Sequence, residues 1–298
     1  MAIVSVDFFS QSLTRMTKFQ AILPNDHIHY LGGPEENRKP LKTLVLLHGM
    51  TGNCRDWLDQ STVAMAVRGL PVCVLIPSGE NSFYSDSVIT GNRFGEYIGK
   101  ELISFARSML PLSREREDTW IAGLSMGDFG AVTNGLRNPE TFGYIGMFSA
   151  ALIKKLILGA KEEPGMDYFI RRQYEAMFGL NRIADFEGCD ADYEALARHV
   201  AASGSTKPRF YIDCGTEDPW LYRENQAFVK LLRSLDYDVI WNSRPGTHSW
   251  DFWETSIRKA LDWFPVSPME AGENNPYVKA QQVMNEGMAA IFMEAENR

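Results

Sequence analysis

Apolar residues recur along this chain in short runs separated by longer stretches of helix-like patterning. The runs cover residues 41–47, 72–76, 118–122, 143–149, 209–214 and 237–242. Short apolar runs bounded by turn-forming residues predict buried strands, and the mixed segments between them predict crossover helices. Alternation of this kind implies an α/β fold, with a mostly parallel central sheet covered by helices on both faces. The stretch from Ile3 to Ile22 reads differently, as one or two antiparallel strands added at the sheet edge. Residues 151–205 form the longest gap between strands and are expected to be a helical cap or insertion beside the site. Its aromatics, Tyr168, Phe169, Tyr174 and Phe178, are expected to serve packing. Residues 1–264 thus form one α/β domain and 265–298 a C-terminal extension. In that extension Met269 to Pro276 reads as a turn or linker and Val278 to Ala295 as a helix. Val283, Met284, Met288, Ile291 and Phe292 recur at helical spacing there. This face is expected either to pack back on the domain or to meet a second copy in a homo-oligomer.

The strand at 118–122 runs into Gly123-Leu124-Ser125-Met126-Gly127, the sequence form of a nucleophile elbow. A strand turning sharply into a helix lifts one serine hydroxyl clear of the sheet. Gly123 and Gly127 lack the Cβ atoms that would collide in that turn. The serine then stands at a helix N-terminus, whose free N–H groups favour a developing oxyanion.

In this arrangement the partners follow in the order serine, acid, histidine. The chain has five histidines. His27, His29 and His48 precede Ser125, and His199 lies in a helical pattern that suits a solvated residue. His248 follows the last strand-like run, in a loop that opens a helix, where a general base belongs. The acid is expected one strand earlier, beyond Arg209 to Gly215, where Asp213, Glu217 and Asp218 compete. Asp213 is still in the strand, so Asp218, deeper in the loop and ahead of Pro219, is favoured. Asp251 fits an early-helix position stabilised by the dipole.

A serine hydroxyl needs a base to remove its proton as it attacks, and the base needs a carboxylate to fix its tautomer. The charge on the former carbonyl oxygen needs preorganised donors. One is expected from the N–H of Met126. The other is expected from the loop after the strand at 41–47, with Met50 the choice.

That loop, Leu46-Leu47-His48-Gly49-Met50-Thr51-Gly52-Asn53 with Trp57 beyond it, resembles the esterase D family of α/β-hydrolases. The closest likeness is to the bacterial tributyrin esterases. Val6 to Leu13, Pro77 to Tyr84, Gly123 to Gly127, Cys214 to Asp218 and Gly246 to Trp253 match in the same order. The resemblance covers roughly residues 1–264 and implies an α/β-hydrolase fold. It also implies a triad of Ser125, Asp218 and His248, with oxyanion amides from Met50 and Met126. The implied activity is hydrolysis of short-chain acyl esters by a serine carboxylesterase. Trp57, Phe83, Tyr84 and Trp220 are expected to line the substrate pocket. If they do, feruloyl (hydroxycinnamoyl) ester hydrolysis is the nearest alternative. S-formylglutathione hydrolysis, acyl transfer, and a silent binding role on the same fold follow. The family usually carries a second glycine, and often a tyrosine, after Ser-Met-Gly. This chain has Asp128-Phe129 instead, and a carboxylate there is expected to suit the helix dipole but to act electrostatically on the site.

Composition changes this picture little. A length of 298 residues with 45% hydrophobic residues suits one domain with a large core. The net charge of −8 argues against a nucleic-acid partner. No stretch is long and apolar enough for a membrane span, and no signal-peptide pattern opens the chain, so a cytoplasmic location is expected. Cys54, Cys73, Cys189 and Cys214 have no metal-ligand spacing, and neither a metal nor a cofactor is expected.

Overall fold

The computed structural model describes residues 1–24, 40–163 and 169–267, together with 283–288 and 293. His27, His29, Tyr168, the segment 269–276, Ile291 and Phe292 lie outside the described residues. In chain order the strands are β1 (Ala2–Ser10), β2 (Arg15–Leu23), β3 (Lys42–Leu47) and β4 (Val72–Pro77), then β5 (Thr119–Leu124), β6 (Tyr144–Phe148), β7 (Arg209–Gly215) and β8 (Val239–Arg244). The helices are α1 (Asp56–Gln60), α2 (Val63–Ala66), α3 (Phe94–Glu96), α4 (Leu102–Met109) and α5 (Met126–Arg137), then α6 (Lys154–Leu158), α7 (Arg171–Phe178), α8 (Tyr193–Ser203), α9 (Tyr222–Ser234) and α10 (Trp250–Trp263).

Among the described residues eight strands join one sheet in the order β1-β2-β4-β3-β5-β6-β7-β8. Strands β3 to β8 run parallel, whereas β2 pairs antiparallel with both β1 and β4. The antiparallel N-terminal edge is therefore a hairpin, since a short turn can join only antiparallel strands. Its turn is held by Glu101, which accepts from the Ser10 hydroxyl at 2.7 Å and the Gln11 amide at 2.6 Å.

The strands are apolar throughout because both faces are covered. Leu44, Leu46, Trp120, Ala122 and Tyr211 point to one core layer, with Trp57, Val63, Phe252, Ile257 and Leu261 from α1, α2 and α10. Val45, Leu47, Ile121, Phe210 and Ile212 point to the other, against Leu102, Phe129, Tyr193 and Phe228 from α4, α5, α8 and α9. Residues 151–205 add to this second layer. Tyr174 and Phe178 are buried there, and Tyr193 meets Phe129 edge-on at 5.8 Å. In the tail, 283–288 is helical, with Val283, Met284 and Met288 exposed. Among the described residues no helix is long and apolar enough to cross a membrane.

The first core layer closes on Phe264, which stacks on Trp120 with ring centres 4.5 Å apart and planes 1° from parallel. Phe264→Ala should destabilise the fold by about 3–5 kcal/mol through lost burial and the cavity left behind. Urea unfolding checks it, and a loss near zero would mean that α10 does not close the core here.

Candidate active site

β3 lies beside β5, and the chain leaves them in opposite directions, toward β4 and toward β6. Such a reversal opens a crevice at the carboxyl ends of the strands. Ser125 stands at the end of β5 with φ 54° and ψ −115°, and α5 begins at the next residue. The turn is as tight as the two glycines require. A Cβ on Gly127 would lie 2.5 Å from the Leu47 carbonyl oxygen. A Cβ on Gly123 would lie 2.5 Å from the carbonyl carbon of Gly127.

His248 and Asp218 come from the loops after β8 and β7. Those loops are tied together by the Thr216 amide on Arg244 O at 2.9 Å and the Glu217 amide on Gly246 O at 3.0 Å. Gly246 has φ 147°, and a Cβ there would meet the Phe252 ring at 2.4 Å. His248 Nε2 is 2.9 Å from Ser125 Oγ, and His248 Nδ1 is 2.8 Å from Asp218 Oδ2. Burial works against charge on Asp218. The hydrogen bond and charge of His248, with the amides of Leu221 and Trp220, outweigh it and hold the carboxyl below its usual range. An ionised carboxylate only accepts, so Nδ1 carries the imidazole proton and Nε2 is left to accept from the serine.

The loop after β3 leans over Ser125: a Cβ on Gly49 would sit 3.7 Å from Ser125 Cβ. This loop is locked by His48, which is fully buried. The Gly79 amide donates to His48 Nε2 at 2.9 Å, so Nδ1 carries the proton and donates to Gly49 O at 2.7 Å. Burial pushes the His48 pKa down, against the opposing pull of the Gly49 carbonyl and of Asp56. The Thr51 amide donates to Asn81 Oδ1 at 2.8 Å, a second tie to the loop after β4. The Met126 amide, the first of α5, has no helical turn before it to bond.

Ser125, His248 and Asp218 are thus brought together; Met126 follows the serine as the first residue of α5, and Met50 lies in the loop after β3, next to Gly49. Asp213 is turned to Arg244, whose guanidinium donates to its Oδ2 at 3.1 Å and 3.2 Å. Asp251 sits in the first turn of α10, and His199 is exposed on α8.

The expected pocket is corrected by burial. Trp57 has no exposed surface, and its indole N–H donates to Leu47 O at 3.0 Å. Tyr84 is likewise enclosed, and its hydroxyl donates to His48 O at 3.0 Å. Phe83 is 3% exposed, packed against Phe129 and Phe178. These side chains stiffen the loops and leave almost no face for a ligand. Of the four, Trp220 alone keeps a large open face, at 71% exposure, and its amide donates to Asp218 Oδ1 at 3.3 Å. Sequence reasoning did not assign Trp253, whose ring meets His248 edge-on at 4.8 Å. Among the described residues no group of three or more His, Cys, Asp or Glu is placed to hold a metal.

An elbow serine at a switch-point crevice, bonded to a histidine and a buried carboxylate, defines a serine hydrolase of the α/β-hydrolase fold. The chain belongs to the esterase family whose model, described as "Putative esterase", matches residues 10–264. It is similar to an acetyl esterase of Caldicellulosiruptor saccharolyticus, with 38% identity over 88% of this chain and 98% of that protein. The solved fluorophosphonate-binding serine hydrolase F of Staphylococcus aureus superposes with a TM-score of 0.76 at 26% identity, over 88% of this chain and 98% of that one. An S-formylglutathione hydrolase of the same species gives 0.74 at 25% identity, over the same shares. The protein is a carboxylic ester hydrolase of the serine type.

His48 makes the fold sensitive to acid. Its folded pKa is depressed below the ordinary 6.5, so the unfolded chain takes up a proton that the folded chain refuses. Stability is full above about pH 6.5 and is lost as pH falls through the depressed value. Wild type should therefore lose more Tm between about pH 7.5 and 5.5 than His48→Gln does. Equal losses in thermal melts would remove His48 as the cause.

Proposed function

We propose that this enzyme hydrolyses short-chain acyl esters through an acyl-enzyme intermediate, with Ser125 as nucleophile, His248 as general base and Asp218 as its orienting acid. The observation that carries the reading is the unbroken hydrogen-bonded series from Ser125 Oγ through His248 to Asp218, lying under the Gly49 loop. Ser125 Oγ attacks the ester carbonyl carbon as His248 Nε2 takes the hydroxyl proton. The C=O pair moves onto oxygen, which the N–H groups of Met50 and Met126 receive. Collapse breaks the bond to the alcohol, which leaves with the proton from His248. Water then repeats the sequence on the acyl-enzyme, releasing the acid and restoring the serine.

Acetyl and butyryl esters, tributyrin among them, are the proposed substrates, supported by the likeness to an acetyl esterase. Trp57, Phe83 and Tyr84, three of the four aromatic side chains that would have favoured a hydroxycinnamoyl group, are spent on packing. A cytoplasmic setting would keep the four free cysteines reduced.

Initial rates on p-nitrophenyl acetate, butyrate and octanoate and on methyl ferulate test both parts. Acetate and butyrate should give the highest kcat/KM, and Ser125→Ala should lower kcat by at least about 10⁴-fold. Preference for methyl ferulate would overturn the substrate class, and an active Ser125→Ala would overturn the nucleophile.

A further inference from the structure

The reaction scheme leaves the Asp128 carboxyl without a task, although it lies three residues from the nucleophile and has no exposed surface. Its Oδ2 accepts from the Phe148 amide, the last of β6, at 2.7 Å. The Phe148 carbonyl accepts from the Ser125 amide at 3.3 Å, and the Ser125 carbonyl accepts from the Asp128 amide at 3.1 Å. Ser125, Asp128 and Phe148 therefore close a hydrogen-bonded ring that joins the end of β5, the first turn of α5 and the end of β6.

Two further observations bear on what this ring does. Burial pushes the Asp128 carboxyl well above the usual carboxylate range, against the opposing amides of Phe148, Ser125 and Gly123. Among the described residues no basic side chain forms an ion pair with it, so burial opposes its charge and the favourable field of the helix N-terminus is countered by desolvation. Asp128 Oδ1 has no hydrogen-bond partner among the described residues. What the carboxyl does supply is an acceptor at a fixed distance from the strained Ser125 backbone.

We propose that Asp128 is a positioning residue for the nucleophile. By tying the first turn of α5 to the end of β6, it holds Ser125 in its elbow conformation and keeps the Met126 amide turned to the oxyanion. This rests on Ser125 being the nucleophile. Relaxation of the elbow would move Oγ away from His248 and the oxyanion amide away from the reacting carbonyl together. A misplacement of about 1 Å is enough to cost about 100-fold in rate.

The test compares wild type, Asp128→Ala, Asp128→Asn and Ser125→Ala. It measures the rate of fluorophosphonate labelling at residue 125, kcat and KM on p-nitrophenyl acetate, and thermal melts to establish folding. Folded Asp128→Ala should lose at least about 30-fold in labelling rate and kcat, with KM within about three-fold of wild type. Asp128→Asn, whose amide oxygen can still accept from Phe148, should recover to within about three-fold of wild type. Should the alanine variant not fold, Asp128→Ser, too short to reach Phe148, is read against the same outcomes. A folded alanine or serine variant with wild-type labelling and kcat overturns the proposal, leaving Asp128 a stability residue. An asparagine variant as slow as the alanine one also overturns it, because the carboxyl chemistry and not the tie would then matter. Failure of wild type itself to label at Ser125 would instead sink the nucleophile assignment.

Discussion

The backbone of Ser125 is held at positive φ, a conformation that costs a non-glycine residue about 1–3 kcal/mol. The rest of the site depends on keeping it there. Gly127 lets α5 start hard against the carbonyls that end β3, and Gly123 lets the chain fold back on itself. The ends of β5 and β6 are bonded through Ser125 and Phe148, and Ala151 donates to the Ser125 carbonyl at 3.0 Å. Several contacts hold this corner together, the tie from Asp128 to the Phe148 amide among them. The same corner lifts Oγ clear of the sheet and presents the first free amide of α5.

Around that corner burial sorts the titratable groups by what each can bond. Asp218 is enclosed yet gathers the His248 ring and two backbone amides, and its carboxyl stays ionised. Asp128 is enclosed with one short bond to one of its oxygens and none to the other, and burial wins. His48 has one ring nitrogen bonded to an amide and the other to a carbonyl, a pattern that only the neutral ring satisfies. Two carboxyls near one serine thus do different work because their surroundings push their proton affinities apart. An ionised Asp218 fixes the tautomer of His248, whereas Asp128 and the neutral His48 each hold backbone groups.

Much of this was legible in the chain. The six apolar runs from 41–47 to 237–242 are β3 to β8, and the N-terminal segment is the antiparallel edge hairpin. These are local signals, since a buried strand must be apolar and a tight corner must carry glycine. Ser125 was legible from the glycines on either side of it, and His248 because it is the histidine after Ser125 that follows a strand-like run. Asp218 was distinguishable from Asp213 only by depth in the loop, and Arg244 explains the outcome, since it takes the Asp213 carboxylate. Trp57, Phe83 and Tyr84 carry no sequence signal that separates a pocket wall from a packing residue. Nothing local tells whether Trp57 or Tyr84 turns toward a ligand or into the layer beneath, and both turned inward onto backbone carbonyls.

The sequence by itself determined the elements, their class of sheet and the sharp corner at Ser125, because hydrophobic period and glycine placement act over a few residues. Only the tertiary structure decided which groups meet across the sheet: Asp218 with His248, His48 with Gly79, Asp128 with Phe148. Those pairings are between 20 and 31 residues apart in the chain. They are set by strand order and by which atoms burial leaves short of a partner, and neither quantity exists until the chain has packed.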